Sequence, residues 1–204
     1  MSFLDLLSHY SVLTLMALFA VAFTAGFIDA VVGGGGLIQL PAMLITFPDA
    51  PLPTLFGTNK TSAVAGTAVA AFQYARRVKF EFVLLIIVSV CALASSYAGA
   101  KAVSAINVMA LKPVILVILI LIAVYTYFKK DLGAAQTKQL PLRRKIIFGS
   151  LIGLSVGFYD GFFGPGTGSF FVLGFVVLMG YEFVTASAYA KILNCMTNIA
   201  ALFV

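Results

Sequence analysis

Charged side chains are scarce in this chain, and their scarcity excludes an ordinary soluble protein. Only 10% of the 204 residues are Asp, Glu, Lys or Arg, whereas 62% are hydrophobic. Soluble domains have about 25% charged and about 45–50% apolar residues. Because a soluble fold cannot remove so much apolar surface from water, the sequence predicts an integral membrane protein.

Cysteine and histidine are also rare, and tryptophan is absent. Both cysteines, Cys91 and Cys195, lie inside apolar segments, where they favour packing over a disulfide framework, a metal site or a redox motif. The single histidine, His9, is near the N-terminus, and no nucleophile with a matching base accompanies it. We therefore expect no enzymatic activity, no cofactor and no metal centre.

Long apolar runs predict an all-α, polytopic transmembrane helical bundle. A helix needs about 20 apolar residues to cross a hydrocarbon core of ~30 Å. Runs of this kind lie at about 10–31, 57–76, 81–104, 110–128, 146–163 and 184–204. Two shorter apolar pieces, near 36–47 and 167–181, are typical of broken or re-entrant helices.

The basic residues stand in short clusters between the apolar runs, at Arg76–Lys79, Lys129–Lys130 and Arg143–Lys145. This is the positive-inside pattern, which places all three clusters on the cytoplasmic face. The net charge of +6 therefore indicates a lipid bilayer as partner rather than a nucleic acid. We expect a multi-pass membrane protein.

One pattern occurs twice, with its members 131 positions apart, as Asp29 is from Asp160. The other matched pairs are Gly26 and Gly157, Phe27 and Phe158, Gly33 and Gly164, Gly35 and Gly166, Thr54 and Thr185, and Lys60 and Lys191. An internal duplication explains such alignment of Asp, Gly and Lys. We predict a first repeat at 1–128, a cytoplasmic linker at 129–145, and an incomplete second repeat at 146–204, as expected of a truncated chain.

The two carboxylates, Asp29 and Asp160, are expensive to place in a bilayer, at about 2.5–3.5 kcal/mol or more each. One interpretation is a proton or cation site that couples transport or acts as a gate. The other is structural: each carboxylate accepts hydrogen bonds from backbone N–H groups freed where its helix breaks. The two interpretations can coexist, and the sequence favours neither.

Glycine-rich breaks follow each carboxylate, at Gly33–Gly36 and Gly164–Gly168. Gly33, Gly34 and Gly35, with Gly164 and Gly166 in the second copy, are candidate ligands of an anion through their backbone. The short segment after each break begins with a partial positive charge, which attracts anions.

Lys60 and Lys191 lie one segment later, and Thr54 and Thr185 are placed to cap the helices that contain them. Each amine either points into a cavity and holds an anion or extends to the membrane interface. Asn59 beside Lys60 and Asn194 after Lys191 add polar groups. We favour the anion role, with Lys60, Lys191, Asn59 and Asn194 as substrate-binding residues.

At these residues the chain resembles the TauE/SafE family of sulfite-exporter-like membrane proteins, in its uncharacterised bacterial inner-membrane branch. The matching stretches are Ala25–Gly36, Gly57–Lys60, Tyr74–Arg77, Gly157–Pro165 and Ala190–Asn194. The resemblance implies a duplicated helical bundle that moves sulfur-containing or other small organic anions.

Together these features predict a secondary transporter of a small anion, sulfite-like or sulfonate-like, that works by alternating access. Its site would lie where the two repeats meet. A proton or cation is a possible coupling partner. The alternatives are a non-transporting membrane scaffold, in which the ionisable residues only join helices, and an anion channel.

Overall fold

The computed structural model describes residues 10–31, 33–104, 117 and 138–204, and within these ranges all regular structure is helical. The helices, numbered in chain order, are α1 (Val12–Val31), α2 (Gly36–Thr46), α3 (Leu52–Ala75), α4 (Phe82–Ser104), α5 (Leu142–Phe162), α6 (Thr167–Met179) and α7 (Phe183–Leu202). The prediction of an all-α protein is confirmed. The predicted segment at 110–128 lies outside the described residues, apart from Val117.

Among the described helices, three are long and apolar enough to cross a membrane: Val12–Ala30, Phe82–Ser104 and Leu142–Phe162. α3 and α7 have sufficient length but carry more polar side chains, and α2 and α6 are the shorter apolar helices where short pieces were predicted. Many large apolar side chains on these helices are exposed. A bilayer is the environment that would cover them.

The helix boundaries follow proline and glycine. Pro51 precedes α3 and Pro141 precedes α5, at positions where a missing N–H group is harmless. α3 therefore begins five residues before the predicted segment at 57–76, and Thr54 lies inside it. The predicted cap role of Thr54 and Thr185 is wrong, since neither helix has a side-chain cap hydrogen bond.

α5 packs very closely on α4 along a stripe of glycines, the feature of segment 146–163 that favours close helix contact. A Cβ atom on Gly157 would lie 2.6 Å from the carbonyl oxygen of Ala92, and one on Gly153 would lie 3.0 Å from that of Val88. The backbones of α4 and α5 can lie this close together only because glycine places no side chain between them. The main apolar core continues from here between α4, α5, α6 and α7.

α3 and α7 cross antiparallel to each other. Phe56, near the start of α3, lines a common pocket with Leu202, at the end of α7. At the opposite end of the bundle, Glu81 follows α3, and its N–H group donates to the hydroxyl of Tyr189, near the start of α7, at 2.9 Å.

We call the end where Phe56 and Leu202 meet the pocket end. The opposite end is the basic end, because Arg76–Lys79 and Arg143–Lys145 lie there. The assignment rests on an ion pair between Lys145 and Glu81. α2 ends at the pocket end, where Phe47 packs against the apolar cluster that α2 forms with the start of α3. α6 ends at the basic end, where Gly180 packs against Lys138. α2 and α6 therefore run in opposite directions from their starting points.

Candidate functional site

The two glycine-rich breaks meet in the middle of the molecule. Gly33 and Gly164 adopt positive φ angles of 79° and 90°, which glycine adopts without a steric penalty. A Cβ atom on Gly33 would lie 2.9 Å from the Cα atom of Gly168, so the first break touches the start of α6. The hydroxyl of Ser169 donates to the carbonyl oxygen of Gly33 at 2.8 Å. The N-termini of α2 and α6 thus lie side by side.

Each lysine reaches the aspartate of the other sequence copy. The amine of Lys60, on α3, lies 3.3 Å from the carboxylate of Asp160, on α5. The amine of Lys191, on α7, lies 3.7 Å from the carboxylate of Asp29, on α1. All four side chains are largely or fully buried, Asp29 being the most exposed at 14%. The ionisable groups are therefore paired inside the protein, not facing lipid.

The amines also bind backbone carbonyl groups of the same two aspartates. Lys60 donates to the carbonyl oxygen of Asp160 at 2.6 Å, and Lys191 donates to that of Asp29. Carbonyl groups in the last turn of a helix can lack N–H partners from their own helix, although the carbonyl oxygen of Asp29 also accepts from the N–H group of Gly33 at 3.0 Å. Each lysine therefore supplies a donor to the broken helix as well as a charge to its carboxylate.

The carboxylate of Asp29 occupies the start of α2. One oxygen, Oδ1, accepts hydrogen bonds from the N–H groups of Gly34 at 3.0 Å and Gly35 at 3.2 Å. These hydrogen bonds agree with the structural interpretation, in which Asp29 accepts from backbone N–H groups at the helix break. In the second copy the donor is a side chain. The hydroxyl of Thr167 donates to Asp160 Oδ1 at 2.8 Å. An anion that approached the start of α2 would meet a carboxylate already bound there.

A small cavity of about 20 Å³ lies between these groups. Its lining includes the predicted residues Asp29, Gly34, Asn59, Asn194, Gly164 and Gly166, together with Gly36, Ala63, Thr167, Gly168 and Asn198. One water molecule needs about 10–15 Å³ of such volume. The cavity as it stands admits a water but is too small for sulfite or a larger anion.

Three asparagines line one side of the cavity. Asn198 donates through Nδ2 to the carbonyl oxygen of Asn194 at 2.8 Å, and its Oδ1 lies 3.4 Å from the amine of Lys60. The side-chain oxygen of Asn59 is buried and has no hydrogen-bond partner among the described residues. An unpartnered buried oxygen of this kind is costly, which makes Asn59 a good candidate for contact with a bound solute or ion.

The structure adds Thr167 and Ser169, which follow the second break, to the residues that the sequence indicates. Asn198 follows Asn194 by one helical turn, and this i, i+4 spacing predicts from the sequence that both share one helix face with Lys191. The contact of Ser169 with Gly33 is not predictable in this way, because it depends on how two distant breaks cross.

Of the remaining candidates, Gly35 packs tightly beneath Asp29, since a Cβ atom there would lie 2.8 Å from the Asp29 Cβ atom. His9 lies outside the described residues. Within the described ranges, no group of three His, Cys, Asp or Glu side chains is arranged to hold a metal ion.

A second polar cluster lies at the basic end. Lys145 pairs with Glu81, and its amine lies 5.7 Å from the centre of the Tyr181 ring. The rings of Tyr181 and Tyr189 are 5.6 Å apart. Burial, with smaller contributions from Tyr189 and Glu81, raises the pKa of Tyr181 well above its usual value, so its hydroxyl stays protonated. These contacts join the α3–α4 connection to α5 and to the α6–α7 connection.

Comparison with known proteins finds relatives that are described as membrane transporters. The family model described as sulfite exporter TauE/SafE matches residues 18–204. A probable membrane transporter protein, ORF9, from Sinorhizobium is 40% identical over 90% of this chain and 69% of its own length. A probable membrane transporter protein from Haemophilus influenzae is 37% identical over 92% of this chain and 72% of its own. The Escherichia coli K12 protein YfcA, also a probable membrane transporter, is 36% identical over 94% and 70%. No solved structure matches the chain.

Proposed function

Because this chain belongs to the TauE/SafE family of membrane transporters, we propose that it is a secondary transporter of a small anion. The solute would be a sulfur-containing or organic anion, in line with the sulfite exporter name of the family. Alternating access would expose the central site first to one side of the inner membrane and then to the other. Lys60 and Lys191 would attract the anion, and Asn59 and Asn194 would help to orient it.

The observation that carries the proposal is that both ion pairs join one sequence copy to the other. Lys60 pairs with Asp160, and Lys191 pairs with Asp29. Each pair joins a helix of one half to the helix that precedes the glycine break in the other half. A rocking motion of one half against the other must therefore change both pairs, so the charges at the site are tied to the movement.

We infer that the halves are inverted repeats, at 1–128 and 146–204 with the linker 129–145 between them. In support, α2 and α6 begin 131 positions apart, at Gly36 and Thr167, and α3 and α7 also begin 131 apart, at Leu52 and Phe183. α3 and α7 run antiparallel, as inversion requires. In this arrangement α3 and α7 also span the membrane, and α2 and α6 are the broken helices that enter it from opposite sides.

Charge balance suggests how the anion is coupled to an ion. Each buried lysine is already neutralised by one carboxylate, so an added anion would leave an uncompensated negative charge in a medium of low dielectric constant. Protonation of the carboxylate removes that charge and frees the amine for the anion. One proton would thus enter with each anion, and Asp29 and Asp160 would be the coupling residues.

The backbone of the two breaks would complete the site once a carboxylate is released. Gly34 and Gly35 now donate to Asp29, and a neutral Asp29 would hold these N–H groups less strongly, because charge-assisted hydrogen bonds are roughly twice as strong as neutral ones. The same N–H groups, at the positive end of α2, could then turn to an anion. Gly33, Gly164 and Gly166 would permit this movement because glycine can change its φ and ψ angles without the steric penalty of a side chain.

The experiment is a transport measurement on the purified protein in vesicles, with sulfite, thiosulfate, short sulfonates and carboxylates as probes. We expect saturable uptake that a pH gradient drives, and its loss in Lys191→Met. The paired variant Lys191→Met/Asp29→Asn, which leaves no unpaired buried charge, should also be inactive. Full transport by this paired variant would remove Lys191 from the mechanism. Uptake that does not saturate would indicate a channel, and absence of both binding and uptake would favour a scaffold.

A further inference from the structure

The two glycine-rich breaks are held by different chemistry, although they occupy equivalent positions in the two sequence copies. In the second break the hydroxyl of Tyr159 donates to the carbonyl oxygen of Pro165 at 2.7 Å. The residue 131 positions before Tyr159 is Ile28, whose side chain cannot form a hydrogen bond. The bond that ties the second break to the helix before it therefore has no equivalent in the first copy.

The ring of Tyr159 is packed on two sides, which directs its hydroxyl toward the break. It lies edge-on to the ring of Phe170, with ring centres 5.1 Å apart, and 6.0 Å from the ring of Phe163. Phe163 follows the last residue of α5, and Phe170 belongs to the first turn of α6. Tyr159 thus joins the end of α5, the break itself and the start of α6.

A second hydroxyl strengthens the same break. That of Thr167 lies 2.8 Å from the carboxylate of Asp160 and 2.6 Å from the carbonyl oxygen of Gly164. The counterpart of Thr167 in the first copy is Gly36, which has no side chain to donate. The contacts of the two hydroxyls with backbone oxygens join neutral groups, so they do not depend on the charge of a carboxylate.

The first break depends on a charge instead. Its N–H groups at Gly34 and Gly35 donate to one carboxylate oxygen of Asp29, at 3.0 and 3.2 Å. The other carboxylate oxygen lies 3.7 Å from the amine of Lys191. Because charge-assisted hydrogen bonds are roughly twice as strong as neutral ones, neutralisation of Asp29 would weaken both N–H bonds at once.

A neutral bond from the second copy also reaches the first break. The hydroxyl of Ser169 donates to the carbonyl oxygen of Gly33 at 2.8 Å. This bond holds the residue that precedes the two donating N–H groups, and it leaves those groups themselves to Asp29. The first break is therefore attached to the second at one point, while its N–H groups stay under the control of a carboxylate.

We propose that Tyr159 is the positioning residue that keeps the second break fixed, and that the first break is the one whose backbone moves during transport. The inference rests on the proposed function and narrows it, because it assigns the backbone movement to one copy. A fixed second break would keep its part of the site ready for the anion. Loosening it should weaken anion binding, whereas stiffening the first break should slow the step that moves it.

Hydrogen exchange of the backbone N–H groups tests this difference without a transport measurement. At one fixed pH, Asp29→Asn should raise the exchange rate over 33–36 about tenfold, because two N–H groups lose their charged acceptor. The rate over 164–168 should stay at the wild-type value. Lys191→Met/Asp29→Asn, which has no lone buried charge, should give the same pattern and serves if the single variant does not fold.

Tyr159→Phe removes the hydroxyl and keeps the ring, so it should have the opposite effect. We expect the exchange rate over 164–168 to rise about fivefold, as for the loss of one neutral hydrogen bond, and the rate over 33–36 to stay at the wild-type value. Equal responses of the two breaks to each variant would overturn the proposal.

The matched variant gives the first copy the same hydroxyl. Ile28 precedes Gly34 by six residues, as Tyr159 precedes Pro165, so Ile28→Tyr offers the first break the bond that holds the second. We expect its kcat for transport to fall about fivefold, as for the gain of one neutral hydrogen bond, with KM unchanged. Ile28→Phe, which adds a ring without a hydroxyl, should transport at the wild-type rate.

The transport measurement uses vesicles and the best-transported anion among sulfite, thiosulfate, methanesulfonate and acetate. Tyr159→Phe should raise KM about fivefold and leave kcat unchanged. A merely structural role would lower the stability of this variant without a change in KM, and that result would overturn the positioning role.

The two proposals fail in different ways. Saturable transport in which Ile28→Tyr is as fast as Ile28→Phe would overturn the moving first break and leave the transporter intact. Hydrogen exchange that differs between the breaks as expected, in a protein that transports none of the probes, would support the fixed second break and contradict the transporter.

Discussion

The amine of Lys60 lies 3.3 Å from the carboxylate of Asp160, although the two residues are one hundred positions apart in the chain. The equivalent relationship joins Lys191 to Asp29 across the other side of the same site. At this site the protein therefore provides a carboxylate counter-ion for each of the two buried amines. Any anion that binds here must compete with a carboxylate unless that carboxylate is protonated.

Removal of one amine should be more damaging than removal of a whole pair. Lys191→Met leaves the carboxylate of Asp29 buried without its cation, and breaking a buried pair in this way costs about 3–5 kcal/mol. Lys191→Met/Asp29→Asn leaves no charge unpaired, so we expect it to recover most of the lost free energy of unfolding. The measurement is denaturant or thermal unfolding of the purified protein in detergent. A paired variant as unstable as the sum of the two single variants would contradict the pairing.

Asp160→Asn should separate anion binding from proton movement. The amide imitates the protonated carboxyl, and Lys60 is the charged group within ion-pair distance of it among the described residues. Because the amide carries no charge that competes with an anion for Lys60, Asp160→Asn should bind the anion at least as tightly as the wild-type protein does, which calorimetry on the purified protein measures.

The functional measurement for this variant compares two kinds of transport in vesicles. Exchange of an external anion for an internal one needs no net proton flux and should continue in Asp160→Asn. Uptake driven by a pH gradient should be lost. If Asp160→Asn retained uptake driven by protons at the wild-type rate, this carboxylate would not be a coupling residue.

The glycine stripe of α5 should be intolerant of any side chain. A Cβ atom on Gly161 would clash with the carbonyl oxygen of Ser96, so Gly161→Ala must push two backbones apart, at a cost of about 1–3 kcal/mol or more. The control is Gly26→Ala in α1, the counterpart of Gly157 in the same stripe, where a Cβ atom meets nothing within 4 Å. There the better helix propensity of alanine should stabilise the protein by up to ~1 kcal/mol. Equal effects of the two variants on the unfolding temperature would contradict the close packing of α4 on α5.

Ser187→Ala should affect transport without loss of stability. The hydroxyl of Ser187 is buried and has no hydrogen-bond partner among the described residues, so its removal should leave the free energy of unfolding unchanged or raise it by about 1 kcal/mol. Because Ser187 lies one turn before Lys191, we expect anion uptake to fall. Ser96→Ala is the control, since that hydroxyl donates to the carbonyl oxygen of Thr197 at 2.7 Å and its loss should destabilise the protein. A destabilised Ser187→Ala would mean that the hydroxyl has a structural role.

The amino-acid sequence by itself determined the class of the protein and the approximate positions of its described helices. Apolar runs and glycine breaks act locally, so α2 and α6 appear where short pieces were predicted, and the stripe at Gly149–Gly161 packs as its spacing indicates. The motif residues Asp29, Lys60, Asp160 and Lys191 do meet. The start of α3 differs from the expectation, since Pro51 sets the boundary earlier than the hydrophobicity alone suggested.

Only the tertiary structure decided which amine meets which carboxylate and that α3 and α7 run antiparallel. These features depend on how helices far apart in the chain pack together. The electrostatic energy of an ion pair is set by the distance between two atoms, and the spacing of residues along a sequence does not determine that distance.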